Sequence, residues 1–148
     1  MQPTYHAPIL VAEDSIADFT ALSRAFSKNA VPNPLVHCTD GEQTLDYLYG
    51  HGQGLNRDLP LPLFVLLDLH MPGLNGWDVL EVLKSDPVLQ AIPVIIFTSS
   101  NNERDLAECY RLGANSYLLK PPTYGELEQK VGILARYWLQ AAALPHLC

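Results

Sequence analysis

The sequence of 148 residues lacks the features that would place the chain in a membrane or outside the cell. No segment approaches the roughly 18 consecutive apolar residues that a membrane-spanning helix needs. The amino-terminal residues lack the basic start and the apolar stretch of a signal peptide. The cysteines Cys38, Cys109 and Cys148 are odd in number and widely spaced, which favours a reducing compartment over a disulfide framework. We therefore expect a cytoplasmic protein with no membrane contact.

Basic residues are also scarce, with 9 Lys and Arg against 16 Asp and Glu and a net charge of -7. The few basic residues are spread along the sequence, whereas nucleic-acid binders usually carry a clustered basic face. Neither the cysteines nor the 5 histidines have the spacing of a zinc site. We therefore predict no direct contact with nucleic acid and no structural zinc.

Apolar runs and helical patterns alternate five times along the chain. Short apolar runs between turn residues predict buried strands, and their alternation with helices predicts a parallel sheet covered on both faces. The sequence therefore predicts an α/β fold, a doubly wound five-stranded parallel sheet with five helices. We expect one domain over 1–148, with its core at about 8–138 and a C-terminal extension over 139–148. The predicted strands cover 9–12, 35–38, 63–67, 94–97 and 116–119, and the predicted helices begin near Ser15, Asp40, Asn75, Asn102 and Thr123.

The polar residues that follow the predicted strands are the most informative feature of the sequence. Asp68 follows the third apolar run and precedes a turn rich in Pro and Gly. Glu13 and Asp14 follow the first run. Thr98 follows the fourth run, and Lys120 follows the fifth. Because the carboxyl ends of parallel strands meet at the edge of the sheet where open α/β folds bind ligands, these side chains are predicted to lie together.

The acidic members of this set suit phosphoryl transfer, which needs a nucleophile and a cation. Asp68 is the candidate nucleophile, because an aspartate can form an acyl phosphate. Glu13, Asp14 and Asp68 repel one another unless a cation lies among them. Their oxygens, together with the backbone carbonyl of His70 in the following turn, are ligands that Mg²⁺ prefers. The sequence therefore predicts an Mg²⁺ site around Asp68.

Two further strand ends would complete this site. Lys120 supplies a positive charge for phosphoryl oxygens, and Thr98 supplies a hydroxyl donor. Each residue alone also has an ordinary structural explanation: Glu13-Asp14 is a common helix N-cap and Asp68 a favoured turn former. The prediction of a site depends on the coincidence of complementary groups at four strand ends.

These residues give the chain its resemblance to a known family. The chain resembles the receiver domains of two-component response regulators over 9–138, through Glu13-Asp14, the segment 68–76, Thr98 and Lys120-Pro121. The resemblance implies the flavodoxin-like receiver fold. It assigns the phosphoacceptor role to Asp68, Mg²⁺ ligation to Glu13, Asp14, Asp68 and the His70 carbonyl, catalytic roles to Thr98 and Lys120, and switch roles to Thr98 and Tyr117.

The family also implies how the protein works. A histidine kinase would phosphorylate Asp68, the domain would catalyse the transfer and later its own slow dephosphorylation, and the output would be a protein–protein interaction. The Gly-rich segment 49–62 and the aromatic fifth helix make the chain most similar to stand-alone regulators of cyanobacterial phytochromes, so a phytochrome is a candidate kinase. The resemblance further implies a cis peptide bond between Lys120 and Pro121. The alternative to a switch role for Tyr117 is that it is simply a half-buried aromatic residue of the sheet.

Two other functions are compatible with parts of the pattern. A hydrolase with an aspartyl-phosphate intermediate usually has a second Asp as general acid two residues after the nucleophile, and this chain has His70 there. A histidine could in principle transfer protons, but the usual acid is missing. Turnover of phosphate esters would identify such an enzyme. A flavin or nucleotide carrier would need a Gly-rich loop after the first strand, where the chain has Glu13-Asp14. The phosphoacceptor switch, which is not an enzyme with a separate substrate, is therefore preferred.

The fifth helix and the tail after it carry more apolar residues than one core face needs. One stripe, Leu127 to Trp138, can cover the sheet, while Ile133 and Tyr137 form a second stripe on another side of the helix. Exposed apolar patches usually mark association sites, and twofold pairing is the commonest form of homo-oligomer. We therefore predict a homodimer with Ile133 and Tyr137 in its surface, and the alternative is a tail that folds back over its own domain.

Overall fold

A computed structural model describes residues 7–50 and 60–145. In these residues, five parallel strands form one sheet in the order β2-β1-β3-β4-β5. Five α-helices alternate with the strands, so the predicted fold class is confirmed. The elements are β1 Ile9–Ala12, α1 Ile16–Lys28, β2 Leu35–Cys38, α2 Gly41–Tyr49, β3 Val65–Leu67, α3 Gly76–Ser85, β4 Val94–Thr98, α4 Glu103–Arg111, β5 Ser116–Leu119 and α5 Tyr124–Ala135.

The strands separate two hydrophobic layers, because successive side chains of a strand point to opposite faces. Leu10 of β1 packs in the layer that contains Leu48, Leu80 and Cys109 of α2, α3 and α4. Its neighbour Val11 packs in the other layer, which is formed with α1 and α5. Both faces of the sheet are therefore covered, and polar chemistry is confined to the edges.

Side-chain caps fix where the helices begin. Ser15 accepts a hydrogen bond from the backbone N–H of Asp18, and Asp40 accepts one from Gln43. Asn75 and Asp78 form a reciprocal capping box at the start of α3. These contacts satisfy backbone donors that have no partner inside a helix. The helix starts near Ser15, Asp40 and Asn75 are thereby confirmed.

One predicted strand is shorter in the structure, and the last helix changes its hydrogen-bonding pattern before its end. Strand β3 covers Val65–Leu67 and is shorter than predicted, although the Leu63 N–H still donates to the Pro8 carbonyl at 2.9 Å. Helix α5 ends at Ala135 as an α-helix and continues as a π-helical turn over Arg136–Ala141. Most of the Gly-rich segment 49–62 lies outside the described residues. Among the described residues, no helix is long and apolar enough to cross a membrane.

Candidate functional site

The candidate site lies at the carboxyl edge of the sheet, where the neighbouring strands β1 and β3 end. Glu13 and Asp14 follow β1, and Asp68 follows β3. The Asp68 N–H donates to the carbonyl of Ala12 at 3.0 Å, which holds the two strand ends side by side. One oxygen atom from each of the three carboxylates lies within 4.8 Å of the others. We call Glu13, Asp14 and Asp68 the acidic cluster.

Two members of the acidic cluster are buried, which makes their charges costly. Glu13 is 1% exposed and Asp68 is 6% exposed, while Asp14 faces solvent. Burial is the main cause that raises the pKa of Glu13 to about 7, and the nearby charge of Asp68 adds to the effect. The ion pair with Lys120 opposes both causes without cancelling them. A nearby cation therefore favours the charged form of Glu13.

Lys120 supplies one such cation from the end of β5, the outermost strand on the other side of β3 and β4. Its backbone N–H donates to the Thr98 carbonyl at 2.8 Å, which fixes the chain at the end of β5. The ammonium nitrogen lies 2.5 Å from Glu13, 2.7 Å from Asp18 and 3.0 Å from Asp68. Burial alone would lower the pKa of Lys120, but these hydrogen bonds outweigh burial and raise that pKa above its usual range. The lysine therefore stays charged beside Asp68.

Thr98 and Tyr117 meet at the same backbone segment after β4. Thr98 is fully buried, and its hydroxyl accepts a hydrogen bond from the Ser100 N–H at 3.3 Å. The Tyr117 hydroxyl donates to the Ser100 carbonyl at 2.8 Å, while its ring packs against the core. Burial is the main cause that raises the pKa of this phenol. A movement of the Thr98 hydroxyl would therefore disturb the segment that holds the Tyr117 side chain.

His70 lies in the turn between β3 and α3, two residues after Asp68. Its backbone N–H is 3.4 Å from an oxygen of Asp68, and its ring packs edge-on against Trp77 at 5.6 Å between centroids. The side chain of His70 is exposed. The turn thus brings the His70 backbone N–H to the acidic cluster, while metal ligation by the His70 carbonyl stays a prediction.

The acidic cluster has the donor set of a hard divalent cation. Glu13 Oε1 is buried, and its polar contact among the described residues is the ion pair with the Lys120 ammonium. A buried carboxylate needs more than one partner to offset the loss of water, and a metal ion would supply another. Carboxylate oxygens are the ligands that Mg²⁺ and Mn²⁺ prefer. Glu13, Asp14 and Asp68 therefore fit such an ion.

Two residues of the site were missed by the sequence reasoning. Asp18, in the first turn of α1, contacts the Lys120 ammonium. His37 of β2 lies with its Nε2 atom 2.7 Å from the Glu13 carbonyl oxygen and stacks on Phe19 at 3.8 Å. An acid in the first turn of a helix that starts at the sheet edge was a signal for Asp18, because helix side chains lean toward the N-terminus. No sequence signal identified His37.

The predicted cis bond between Lys120 and Pro121 is wrong, since the described residues contain no cis peptide bond. The receiver resemblance implied the cis bond, because a tight turn would aim the Lys120 side chain at Asp68. In the structure, the ammonium reaches Asp68 at 3.0 Å with a trans bond. The long lysine side chain, and not the turn, spans the distance.

The apolar surface of the fifth helix is divided as the sequence indicated. Leu127, Val131 and Leu134 are buried against the sheet, whereas Ile133 is 62% exposed and Tyr137 is 55% exposed. Leu139 packs against the core layer that contains α5, so the first part of the tail lies on its own domain. Ile133 and Tyr137 therefore remain an exposed apolar pair.

Comparison with known proteins identifies a family and several relatives to which this chain is similar. A family model for the response regulator receiver domain matches residues 9–132. The probable methanogenesis regulatory protein FilR2 of Methanothrix harundinacea (strain 6Ac) is 38% identical over 131 residues, which are 88% of this chain and 83% of that protein. Response regulator Rcp1 of Synechocystis sp. is 34% identical over 137 residues, 93% of this chain and 92% of that protein.

Solved structures agree with these sequence relationships. The phosphorylated cyanobacterial phytochrome response regulator RcpA has a TM-score of 0.89 and 35% identity, covering 95% of this chain and 99% of its own. The Mn²⁺-bound form of Rcp1 has a TM-score of 0.85 and 32% identity, covering 94% of this chain and 99% of its own. At these identities, the similarity extends beyond the fold to the sequence.

Proposed function

Because this chain belongs to the response regulator receiver family, we propose that it accepts a phosphoryl group on Asp68 from a histidine kinase and signals by binding a partner protein. One observation carries the proposal: Asp68 belongs to the acidic cluster and also lies 3.0 Å from the Lys120 ammonium. An oxygen nucleophile with a cation site and a fixed positive charge is the arrangement that phosphoryl transfer requires.

The chemistry begins with Asp68, whose carboxylate oxygen attacks the phosphorus of the donor phosphohistidine. The oxygen–phosphorus bond forms as the nitrogen–phosphorus bond of the donor breaks, which leaves an acyl phosphate. Glu13, Asp14, Asp68 and the His70 carbonyl would hold Mg²⁺, whose charge neutralises the approaching phosphoryl oxygens. The Mn²⁺-bound Rcp1 structure supports a divalent cation here.

Lys120 and Thr98 act on the phosphoryl group after its transfer. The Lys120 ammonium, 3.0 Å from Asp68, can pair with one phosphoryl oxygen. The Thr98 hydroxyl can donate to another, and it then leaves the Ser100 N–H. Because Tyr117 is bonded to the Ser100 carbonyl, this change would alter the position of the aromatic ring. We infer that a partner protein binds the surface near Tyr117 and distinguishes the phosphorylated from the unphosphorylated state.

The first test is phosphorylation by acetyl phosphate, which replaces the kinase with a small donor. We expect the intact mass to increase by one phosphoryl group in Mg²⁺ and to stay unchanged in EDTA, because the acidic cluster repels a phosphate dianion without a cation. Peptide mapping should place the group on Asp68, and a chase without donor should show slow loss of the label. Equal labelling in EDTA would contradict the proposed mechanism.

The phosphoryl donor that we propose is a phytochrome-type histidine kinase in the cytoplasm. The support is the similarity to RcpA, a cyanobacterial phytochrome response regulator, over 95% of this chain. The protein would contact neither nucleic acid nor membrane, since its charge is acidic. Transfer from an autophosphorylated phytochrome kinase to this chain, faster than from an unrelated histidine kinase, is the expected result.

We further propose that the protein forms a homodimer through Ile133 and Tyr137, which form an exposed apolar surface. Tyr137→Asp should convert the dimer to a monomer in sedimentation, because a carboxylate cannot be desolvated without a partner. Labelling of Asp68 should change little. A wild-type protein that sediments only as a monomer at micromolar concentration, with or without phosphorylation, would contradict the homodimer.

Val88→Asp is the matched control for the dimer. Val88 is 56% exposed, which is close to the 55% of Tyr137, but it lies after α3 and next to Leu89, which packs in the hydrophobic layer that does not contain α5. The control should leave the sedimentation of the protein unchanged. If both variants dissociate the dimer equally, added charge and not the α5 surface is the cause.

A further inference from the structure

Asp18 contacts Lys120 in the site although Asp18 is not a member of the acidic cluster. It is the third residue of α1, and its side chain leans from the first turn toward the sheet edge. The Asp18 Oδ2 atom lies 2.7 Å from the Lys120 ammonium, although 102 positions separate the two residues. The Asp18 side chain is 46% exposed, so the ion pair stands at the outer margin of the site.

Lys120 therefore has two kinds of carboxylate partner. Glu13 and Asp68 belong to the acidic cluster, so a divalent cation and the ammonium compete for them. Asp18 is not in the cluster, and its ion pair within the described part of the chain is with Lys120. When a divalent cation enters, its charge repels the ammonium and draws Glu13 and Asp68 toward itself. Asp18 is then the acceptor that remains for Lys120.

The two functions of Asp18 are separable in the structure. Its backbone N–H donates to the Ser15 hydroxyl and caps α1, while its side chain contacts Lys120. An Asn at this position keeps the backbone cap and the side-chain shape but loses the charge. The first turn of α1 should therefore form in that variant, with only a small loss of the favourable interaction between an acid and the helix N-terminus.

We propose that Asp18 is a positioning residue that holds the Lys120 ammonium at the outer margin of the site, weakens its contacts with Glu13 and Asp68 and so allows a divalent cation to bind. This inference rests on the proposed function, in which Lys120 serves the phosphoryl group and the acidic cluster serves Mg²⁺. It adds a fourth carboxylate to the site without adding a metal ligand. Loss of Asp18 leaves Lys120 on Glu13 and Asp68, where it opposes the cation.

The test is a double-mutant cycle with the dissociation constant for Mg²⁺ as its readout. Binding can be followed by tryptophan fluorescence, because Trp77 packs against His70 next to the cluster. Asp18→Asn should weaken Mg²⁺ binding by about threefold to fivefold, the upper part of the range of a part-exposed ion pair. Lys120→Met alone should strengthen Mg²⁺ binding, since it removes the competing charge. In the Lys120→Met background, Asp18→Asn should change the dissociation constant by less than about twofold.

Equal effects of Asp18→Asn in both backgrounds would overturn the proposal, because they would show a long-range charge effect without Lys120. An unchanged dissociation constant in the single variant would overturn it too. Asp18→Glu should restore Mg²⁺ binding, since it returns the charge on a longer side chain. Glu42→Gln removes an exposed first-turn acid from α2, on the other face of the sheet, and should have no effect. Thermal unfolding of each variant verifies that α1 is intact.

The result is distinguishable from a failure of the proposed function. The cycle measures Mg²⁺ binding and needs no phosphoryl donor. If the cycle shows coupling but Asp68 takes no phosphoryl group from acetyl phosphate, the proposed function fails and the role of Asp18 stands. If Asp68 is labelled and the cycle shows no coupling, the role of Asp18 fails and the phosphoacceptor stands.

Discussion

Replacement of Asp68 with Asn should abolish phosphorylation by acetyl phosphate. An amide oxygen is a poor nucleophile, and no acyl phosphate can form at this position. The variant should fold, because Asn has the same shape and Lys120 keeps its contacts with Glu13 and Asp18. Removing one charge relieves repulsion within the acidic cluster, which offsets the weakened contact with Lys120, so the free energy of unfolding without metal should change little. Intact mass after incubation with donor and Mg²⁺ measures the loss.

Asp46→Asn is the control for this substitution. Asp46 is an exposed aspartate of α2, which packs on the face of the sheet opposite to α1 and α5. Its replacement should leave labelling at the wild-type level. If the Asp68→Asn protein is still labelled in Mg²⁺, peptide mapping would identify another acceptor, and the assignment of Asp68 would be wrong.

The sheet could be predicted closely because its strands are buried on both faces. Strands β1, β2 and β5 have the predicted bounds, and β4 is longer by the single residue Thr98. Uninterrupted apolar runs between turn residues leave few alternative positions for such strands. Helix α4 was harder to interpret, since Leu106, Ala107 and Tyr110 do share one face, as their spacing indicates, yet that face is exposed and Cys109 is the buried residue.

The site was predicted wherever the end of a strand determines the position of a side chain. The three acids of the cluster and Lys120 meet at one sheet edge because parallel strands end there. The contact between Lys120 and Asp18 could not be predicted in this way. The contact depends on how far the flexible Lys120 side chain extends across β4 and on which side of α1 faces that side chain. The spacing of the strands in the sequence determines neither.

Replacement of Gly76 with Ala should destabilise the fold more than any of the other single substitutions described above. Helix α3 begins at this residue, and a Cβ atom there would lie 2.3 Å from the Asp68 carbonyl oxygen and 2.7 Å from the Leu69 Cα atom. Both neighbours are backbone atoms, so relief requires α3 to move away from the turn after β3. Gly76→Ala should lower the free energy of unfolding by about 3 kcal/mol, measured by urea denaturation. It should also weaken Mg²⁺ binding, because the same turn carries Asp68.

Gly125→Ala is the matched control, because both glycines lie in the first turn of a helix. A Cβ atom at Gly125 would have no heavy atom within 4 Å. Alanine restricts the unfolded chain and favours the helix, so this variant should gain up to about 1 kcal/mol of stability. Opposite signs for the two substitutions would show that contact with the Asp68 turn, and not helix propensity, requires glycine at position 76. If Gly76→Ala unfolds at the same urea concentration as the wild type, the start of α3 does not pack against the backbone of Asp68.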